Sequence, residues 1–389
     1  MRIGIAALVS GYLLSQFYRA FLAVLAPVLQ TDLGATAAEL AAASGWWFLA
    51  FAAMQLPIGA ALDRHGPRRT AGVLMAVGAG GAVLFALASA PWHLNVAMAL
   101  IGVGCAPVLM AGYFIFARSF PPASFGLLAG MMIGVGALGN VASSLPLSAA
   151  VEAFGWRAAV AGLAGFSALV ALAILVLVRD PPSLAHQEKG SLLDLLRMPA
   201  IWPILAMMAV CYTPIAGLRG LWVGPYFNDV HGYDPLQIGE VGLWIGLAMV
   251  AGNFAYGPLD RLVGSRKWVI FVGNALTVAC LAGLWVFADA PPVVAAGLLV
   301  AAGLFGASFP MVMAHGRALI PAHLMGRGVT LLNLFGIAPI GLAQIATGRI
   351  HAAAPTDPAS APYEAVFLFF AVTTAIGLLI YLWSRDRTD

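Results

Sequence analysis

Apolar runs of twenty residues or more follow one another along almost the whole chain, separated by short polar connections. A helix needs about 20 mostly apolar residues to cross the hydrocarbon core of a bilayer. By that measure the pattern predicts twelve spans, near 4–30, 38–61, 70–90, 94–117, 123–150, 157–178, 200–226, 237–258, 267–288, 292–314, 327–350 and 364–384. One connection differs from the rest. From Arg179-Asp180-Pro181-Pro182 to Arg197-Met198-Pro199 the chain is polar, carries both charge signs and sits near the middle. The expected organisation is therefore an N-terminal six-helix bundle over 1–180, a linker over 181–198 and a C-terminal six-helix bundle over 199–389. The opening run, about Ile3 to Leu29, contains Arg19 and exceeds the roughly 7–15 apolar residues of a cleavable signal peptide, so it reads as the first span.

Composition strengthens this picture. The 389 residues are 62% hydrophobic and 9% charged, against roughly 25% charged in a soluble domain. A soluble fold could not cover so much apolar surface. The expected class is an all-α membrane protein. Cys105, Cys211 and Cys280 all fall inside apolar runs with no paired spacing, which fits buried small hydrophobes rather than a disulfide framework or zinc site.

Charge placement gives an orientation. Fifteen of the nineteen Lys and Arg residues fall at the termini or in the connections on one side, among them Arg64, Arg68, Arg69, Arg179, Lys189, Arg197, Arg261, Arg266, Lys267, Arg317, Arg327, Arg385 and Arg387. The opposite connections hold Arg157 and Arg349, together with Asp32, Asp229, Asp234 and Asp289. The positive-inside rule then places both termini and the linker in the cytoplasm of a cell membrane, expected to be a bacterial inner membrane.

A shift of about 200 residues lays one half on the other. Arg19 falls on Arg219, Asp63-Arg64 near Asp260-Arg261, Arg118 and Pro122 on Arg317 and Pro321, and Gly126 on Gly326. Ordered coincidences at a nearly constant offset indicate two copies of one unit, related by an axis along the membrane normal.

The loop Gly59-Ala-Ala-Leu-Asp63-Arg64-His-Gly66-Pro-Arg68-Arg69 resembles the signature between the second and third helices of the major facilitator superfamily, with Pro67 as an extra residue. The half-copy Gly257-Pro-Leu-Asp260-Arg261 with Arg266-Lys267, and Phe154-Gly155-Trp156-Arg157, are similar to the same superfamily. The resemblance implies the major facilitator fold: twelve transmembrane helices in two pseudo-symmetric bundles. These would rock around a cavity lined by the first, fourth, seventh and tenth spans. Asp63, Arg64, Arg68, Arg69, Asp260 and Arg261 are then the expected gate, because a carboxylate at a helix end can face a neighbouring helix N-terminus while arginines bond carboxylates or carbonyls. Topology anchoring is the plainer reading of the same arginines.

Arg19 and Arg219 belong to neither membrane face. An arginine deep in a span costs at least roughly 2.5–3.5 kcal/mol, and guanidinium is effectively never neutral. Arg19 lies about 24 Å along its helix, too deep to snorkel comfortably. The acids Glu39, Glu152, Glu240 and Glu364 fall near span ends, so no carboxylate in the sequence stands at matching depth. The substrate is the economical source of negative charge, and a planar fork suits carboxylate or phosphate. Paired arginines on the first and seventh spans resemble the organophosphate:phosphate antiporters of the superfamily. Tyr18-Arg19 followed by Ala26-Pro27 is similar to its anion:cation symporter branch.

Helical spacing adds Tyr12, Ser15, Gln16 and the neighbouring Tyr18 around Arg19, and Tyr212, Trp222 and Tyr226 around Arg219, with Tyr113, Asn140, Asn253, Asn333 and Gln344 elsewhere in the spans. The expected binding set is Arg19, Arg219, Gln16, Tyr18, Tyr113, Tyr212, Trp222, Tyr226, Asn253 and Asn333. Struts to backbone carbonyls and helix-to-helix glue are the competing roles. Trp46, Trp47 and Trp222 could stack on an organic substrate or simply pack.

The functional expectation is a secondary transporter of a small anionic organic solute, working by alternating access as a monomer in lipid, with no cofactor, metal or nucleic acid. A proton-driven exporter of drugs or other amphipathic solutes is the alternative. It fits less well because no acid is predicted near mid-span. Met311, Met313 and His315 could suit a soft metal, but Arg317 stands beside them. The chain lacks a phosphate-binding loop, a nucleophile elbow, a His-Glu-x-x-His helix and a dinucleotide fingerprint, which argues against an enzyme.

Overall fold

In lipid every backbone N–H and C=O must be satisfied inside the protein, and a helix does so within one segment. The computed structural model follows that rule. It describes residues 2–181, 192–321 and 324–386, with the side chains of 2, 122–127, 192–193, 260–261 and 325–326 left out, and the described residues form helices joined by short turns, with no strand. The linker residues 182–191, Arg387 and the side chains of Asp260 and Arg261 therefore lie outside the described residues.

Among the described residues, nine helices are long and apolar enough to cross a membrane, or up to eleven if each of two bent pairs is one span. The bent pairs are Ile3–Tyr18 with Phe21–Leu33, at 49°, and Leu128–Ala142 with Leu145–Phe154, at 43°. Ala37–Ala86 runs for 50 residues. Straight, it would reach about 75 Å, more than twice the roughly 30 Å hydrocarbon core. It is broken at Gly66, whose φ of 77° and ψ of 163° are open in practice only to glycine. The break falls between the segments 38–61 and 70–90.

The chain divides into two compact units, Met1–His186 with Asp234–Glu240, and Gln187–Tyr233 with Val241–Asp389. In the first, Ala37–Ala86 packs along Pro91–Cys105 and Trp156–Leu177. Small residues allow it: a Cβ on Gly104 would lie 2.5 Å from Gly78 Cα, and one on Gly102 would lie 2.3 Å from the Trp47 carbonyl. In the second, Arg266–Val286 packs on Ala361–Tyr381 and Pro292–Phe305, over an interior that includes Met207, Met208, Ile270, Val312, Leu332 and Tyr381.

Each unit ties its last helix to its third in the same way. Gly66 and Gly264 both have positive φ (77° and 72°) and each precedes a helix. The Arg68 N–H then donates to Asp180 Oδ1 at 2.7 Å, and the Lys267 N–H donates to Asp386 Oδ1 at 3.0 Å. Both aspartates follow an arginine just past the final helix of their unit, Arg179-Asp180 and Arg385-Asp386. A carboxylate there offsets the positive helix N-terminus. Arg68 Nε adds a 3.9 Å ion pair to Asp180, and Lys267 Nζ donates to the Leu382 and Ser384 carbonyls at 2.6 and 2.9 Å. At the other end of each unit a second pairing recurs. Asp32 accepts from Trp156 Nε1 at 2.9 Å and pairs with Arg157, and Asp229 accepts from the Tyr363 hydroxyl.

Candidate substrate site

Arg19 stands at the break in the first span. Helix Arg2–Tyr18 ends one residue before it and Phe21–Leu33 begins two residues after it. The Ala20 N–H bonds the Phe17 carbonyl at 3.1 Å, a tightened i−3 turn. Pro27 does not cause the break, because the carbonyl it leaves without a donor is that of Ala23.

The guanidinium leans on an aromatic wall. Its Cζ lies 5.3 Å from the Trp47 ring centre and 5.1 Å from that of Phe51, and those two rings stack at 5.1 Å and 18°. A desolvated cation–π contact contributes about 2 kcal/mol. Two such contacts offset much of the cost of holding the charge but satisfy none of its five N–H donors. Arg19 Nε is buried without a hydrogen-bond partner among the described residues, and no carboxylate there forms an ion pair with this arginine.

The other expected partners in the first unit divide. Tyr18 is 1% exposed and its hydroxyl is shared with Ser167 at 2.9 Å, which directs it into packing with the Trp156–Leu177 helix. Gln16 Nε2 donates to the Tyr12 hydroxyl at 2.7 Å. Tyr113 is half-buried on the helix Val108–Ser119.

In the second unit Arg219 also marks an irregularity. Leu218–Trp222 is a π-turn between helices Thr213–Gly217 and Val223–His231, and the Val223 N–H reaches back five residues to the Leu218 carbonyl. Pro225 follows and lacks the N–H that would bond the Leu221 carbonyl, so an ordinary helical ladder cannot continue here. Gln344 Nε2 donates to the Gly217 carbonyl at 3.0 Å, supporting the turn from Met325–Ala353. Arg219 is 5% exposed, and its Nε donates to the Gly242 carbonyl at a long 3.4 Å.

The remaining candidates in this unit are mostly engaged locally. Trp222 is fully buried, donates to Thr347 Oγ1 at 3.0 Å and has its ring 5.0 Å from that of His351. The Tyr226 hydroxyl donates to the Ala288 carbonyl at 2.7 Å. Tyr212 packs its ring 5.7 Å from Phe309, Asn333 is half-buried, and Asn253 is exposed.

Two of the acids named in the sequence are bonded within their own helix ends, and Glu152 and Glu240 are exposed. Glu39 closes a capping box with Thr36, its carboxylate accepting from the Thr36 N–H at 2.8 Å, and Glu364 accepts from Ser360 at 3.0 Å. Among the gating candidates, Asp63 pairs with Arg118 at 3.2 Å, Arg68 with Asp180, and Arg64 and Arg69 are exposed. His315 is not available to a metal: Nδ1 is bonded to the Tyr381 hydroxyl at 2.6 Å and Nε2 to the Arg385 carbonyl at 2.8 Å. Arg118 and the two Arg-Asp pairs were not singled out as functional from the sequence, although the repeated dipeptide, 206 residues apart, is a signal that could have found the latter.

These units, each with an arginine at a broken or widened helix, match a known family along most of the chain. The family model of the Major Facilitator Superfamily matches residues 8–343. The chain belongs to the Major Facilitator Superfamily. The all-α fold of that superfamily is seen too in a bacterial homologue of the human lysosomal transporter Spinster, in an inward-facing, occupied structure. There the similarity covers 97% of this chain and 95% of the other, with a TM-score of 0.80 at 17% identity. Among sequence relatives, the "Probable sulfoacetate transporter SauU" of Cupriavidus necator is 24% identical over 307 residues, 72% of this chain and 71% of that protein. The "Uncharacterized transporter YybO" of Bacillus subtilis is 30% identical over 156 residues, 40% of this chain and 36% of that protein. This member of the superfamily is thus a multi-pass membrane transporter of a small-molecule substrate, not an enzyme.

Proposed function

We infer that this transporter carries a small organic anion by alternating access, with Arg19 and Arg219 as its anion clamp. The observation that carries the reading is Arg19: a permanent cation at a helix break, stacked on Trp47 and Phe51, with a buried Nε left unbonded and no carboxylate paired to it among the described residues. Arg219 occupies the matching place in the duplicated sequence and stands in a π-turn, a feature that recurs at functional sites. The relative named for sulfoacetate, an acetate carrying a sulfonate group, supports an anionic solute. Gln16, Tyr113, Tyr212, Trp222, Tyr226, Asn253 and Asn333 would complete the site, with Tyr18 as its packing support. Asp63, Arg64, Arg68, Arg69, Asp260 and Arg261 would latch the cytoplasmic side.

The same reading takes Ala37–Ala86 as two spans, for twelve in all, in bundles 1–180 and 199–389 around the linker 181–198. It places the protein as a monomer in a bacterial inner membrane with both termini in the cytoplasm.

A thermal-shift panel on the purified protein separates this reading from a proton-driven exporter. Ligand at a hundred times its Kd stabilises by about 2.7 kcal/mol. Small dicarboxylates, sulfonates and phosphonates should raise the melting temperature, and lipophilic cations should not. The reverse ranking would favour the exporter.

A further inference from the structure

The anion reading leaves open which head group meets Arg19, and the next inference rests on that reading. On the first span, hydroxyls normally bond a carbonyl about one turn back. Ser10 Oγ does so to Ala6 at 3.1 Å, and Thr31 Oγ1 to Val28 at 2.9 Å. Ser15 does not. It is 1% exposed, one turn before Arg19, and its Oγ bonds no nitrogen or oxygen among the described residues, with only the Cys105 thiol, a weak hydrogen-bond partner, beside it. Trp47 is 0% exposed, and its Nε1 is likewise unbonded. Its ring is one of the two that Arg19 covers.

Native structures rarely leave one buried donor unsatisfied. Here three such groups (Arg19 Nε, Ser15 Oγ and Trp47 Nε1) belong to one neighbourhood within the first unit. The geometry points to Ser15 and Trp47 as two further binding residues that, with Arg19, cradle a tetrahedral three-oxygen anion: a sulfonate, phosphonate or phosphate monoester.

The choice over carboxylate follows from direction. A guanidinium fork holds two oxygens in its own plane, and a planar carboxylate has no others. Ser15 approaches from the preceding helical turn. Trp47 approaches from the neighbouring helix, with its ring against the guanidinium. A third oxygen standing out of the fork plane gives these donors an acceptor. A site built around hydrogen bonds discriminates strongly against a ligand that leaves one of them unmade.

The test is equilibrium binding of malonate, sulfoacetate and phosphonoacetate to the full-length purified protein. All three share a carboxymethyl group and differ in the second head. Sulfoacetate and phosphonoacetate are expected to bind about tenfold or more tighter than malonate. Ser15→Ala and Trp47→Phe should each weaken sulfoacetate and phosphonoacetate several-fold more than malonate, and Arg19→Ala should weaken all three. If Trp47→Phe does not yield folded protein, Ser15→Ala carries the test alone. Malonate binding as tightly as sulfoacetate, or equal weakening of all three ligands by the Ser15 and Trp47 variants, overturns the cradle but leaves the anion reading standing as long as Arg19→Ala abolishes binding. No binding of any of the three, or binding indifferent to Arg19→Ala, overturns both.

Discussion

Gly246 faces Arg219 so closely that a Cβ there would lie 3.2 Å from Nη2 and 3.6 Å from Cζ and Nε. The absence of a side chain on Pro235–Val263 gives the buried guanidinium its berth, and the Gly242 carbonyl one turn earlier accepts from Nε. Gly246→Ala should therefore displace the guanidinium by a few tenths of an ångström without filling a cavity. The expected result is a several-fold loss of solute affinity with near-normal folding, read by ligand binding beside a melting curve. Unchanged affinity would mean that Arg219 does not depend on this berth.

Asp180 and Gly66 give a stability prediction. A Cβ on Gly66 would lie 2.6 Å from the Asp180 carboxyl carbon, at a φ of 77° that other residues rarely adopt. Gly66→Ala should lose about 1–3 kcal/mol and lower the melting temperature of the purified protein. Asp180→Ala should lower it as well, by removing the acceptor of the Arg68 N–H. Melting temperatures at the wild-type value would contradict the tie between the last and third helices of the unit.

Much of this was legible in the sequence, and the rest was not for physical reasons. Span existence follows from length and apolarity, and the place of Arg19 and Arg219 inside apolar runs from counting residues. The break at Arg19 is not legible, because Tyr18-Arg19-Ala20-Phe21 contains neither Pro nor Gly. The π-turn at Arg219 is hidden for another reason: Gly220 and Pro225 stand at it, but membrane helices tolerate both residues without breaking, so their presence alone marks no turn. Tyr18 reads as a partner of Arg19 by adjacency, yet consecutive helical residues point about 100° apart, and its hydroxyl goes to Ser167. The Arg-Asp ties do not stand out in the sequence because they lie at span ends, where charges are ordinarily topology anchors.

The Asp63–Arg118 pair separates gating from anchoring. Asp63 is 44% exposed, and Arg118 also covers the Phe114 ring at 3.9 Å. Exposed pairs contribute little stability, about 0–1 kcal/mol. Asp63→Asn should therefore leave expression and melting nearly unchanged while cutting uptake into proteoliposomes. Full transport in that variant would leave these charges only an anchoring role.

Orientation is checked by cysteine labelling. Single cysteines at positions 186 and 388, in a background lacking the three native ones, should be shielded from an impermeant thiol reagent in intact cells and labelled after permeabilisation. Labelling from outside at either position would invert the assigned topology.

The central claim, an anion held by Arg19 and Arg219, meets its most direct test in the affinity of the best-binding anion for Arg19→Ala and Arg219→Ala. A charge-assisted hydrogen bond contributes roughly 1.5–3 kcal/mol, so each variant should lose about ten- to over a hundredfold in affinity. The lysine variants should be impaired too, because a point charge cannot reproduce a fork. Folded, monodisperse alanine variants that bind the anion as tightly as wild type would contradict the clamp.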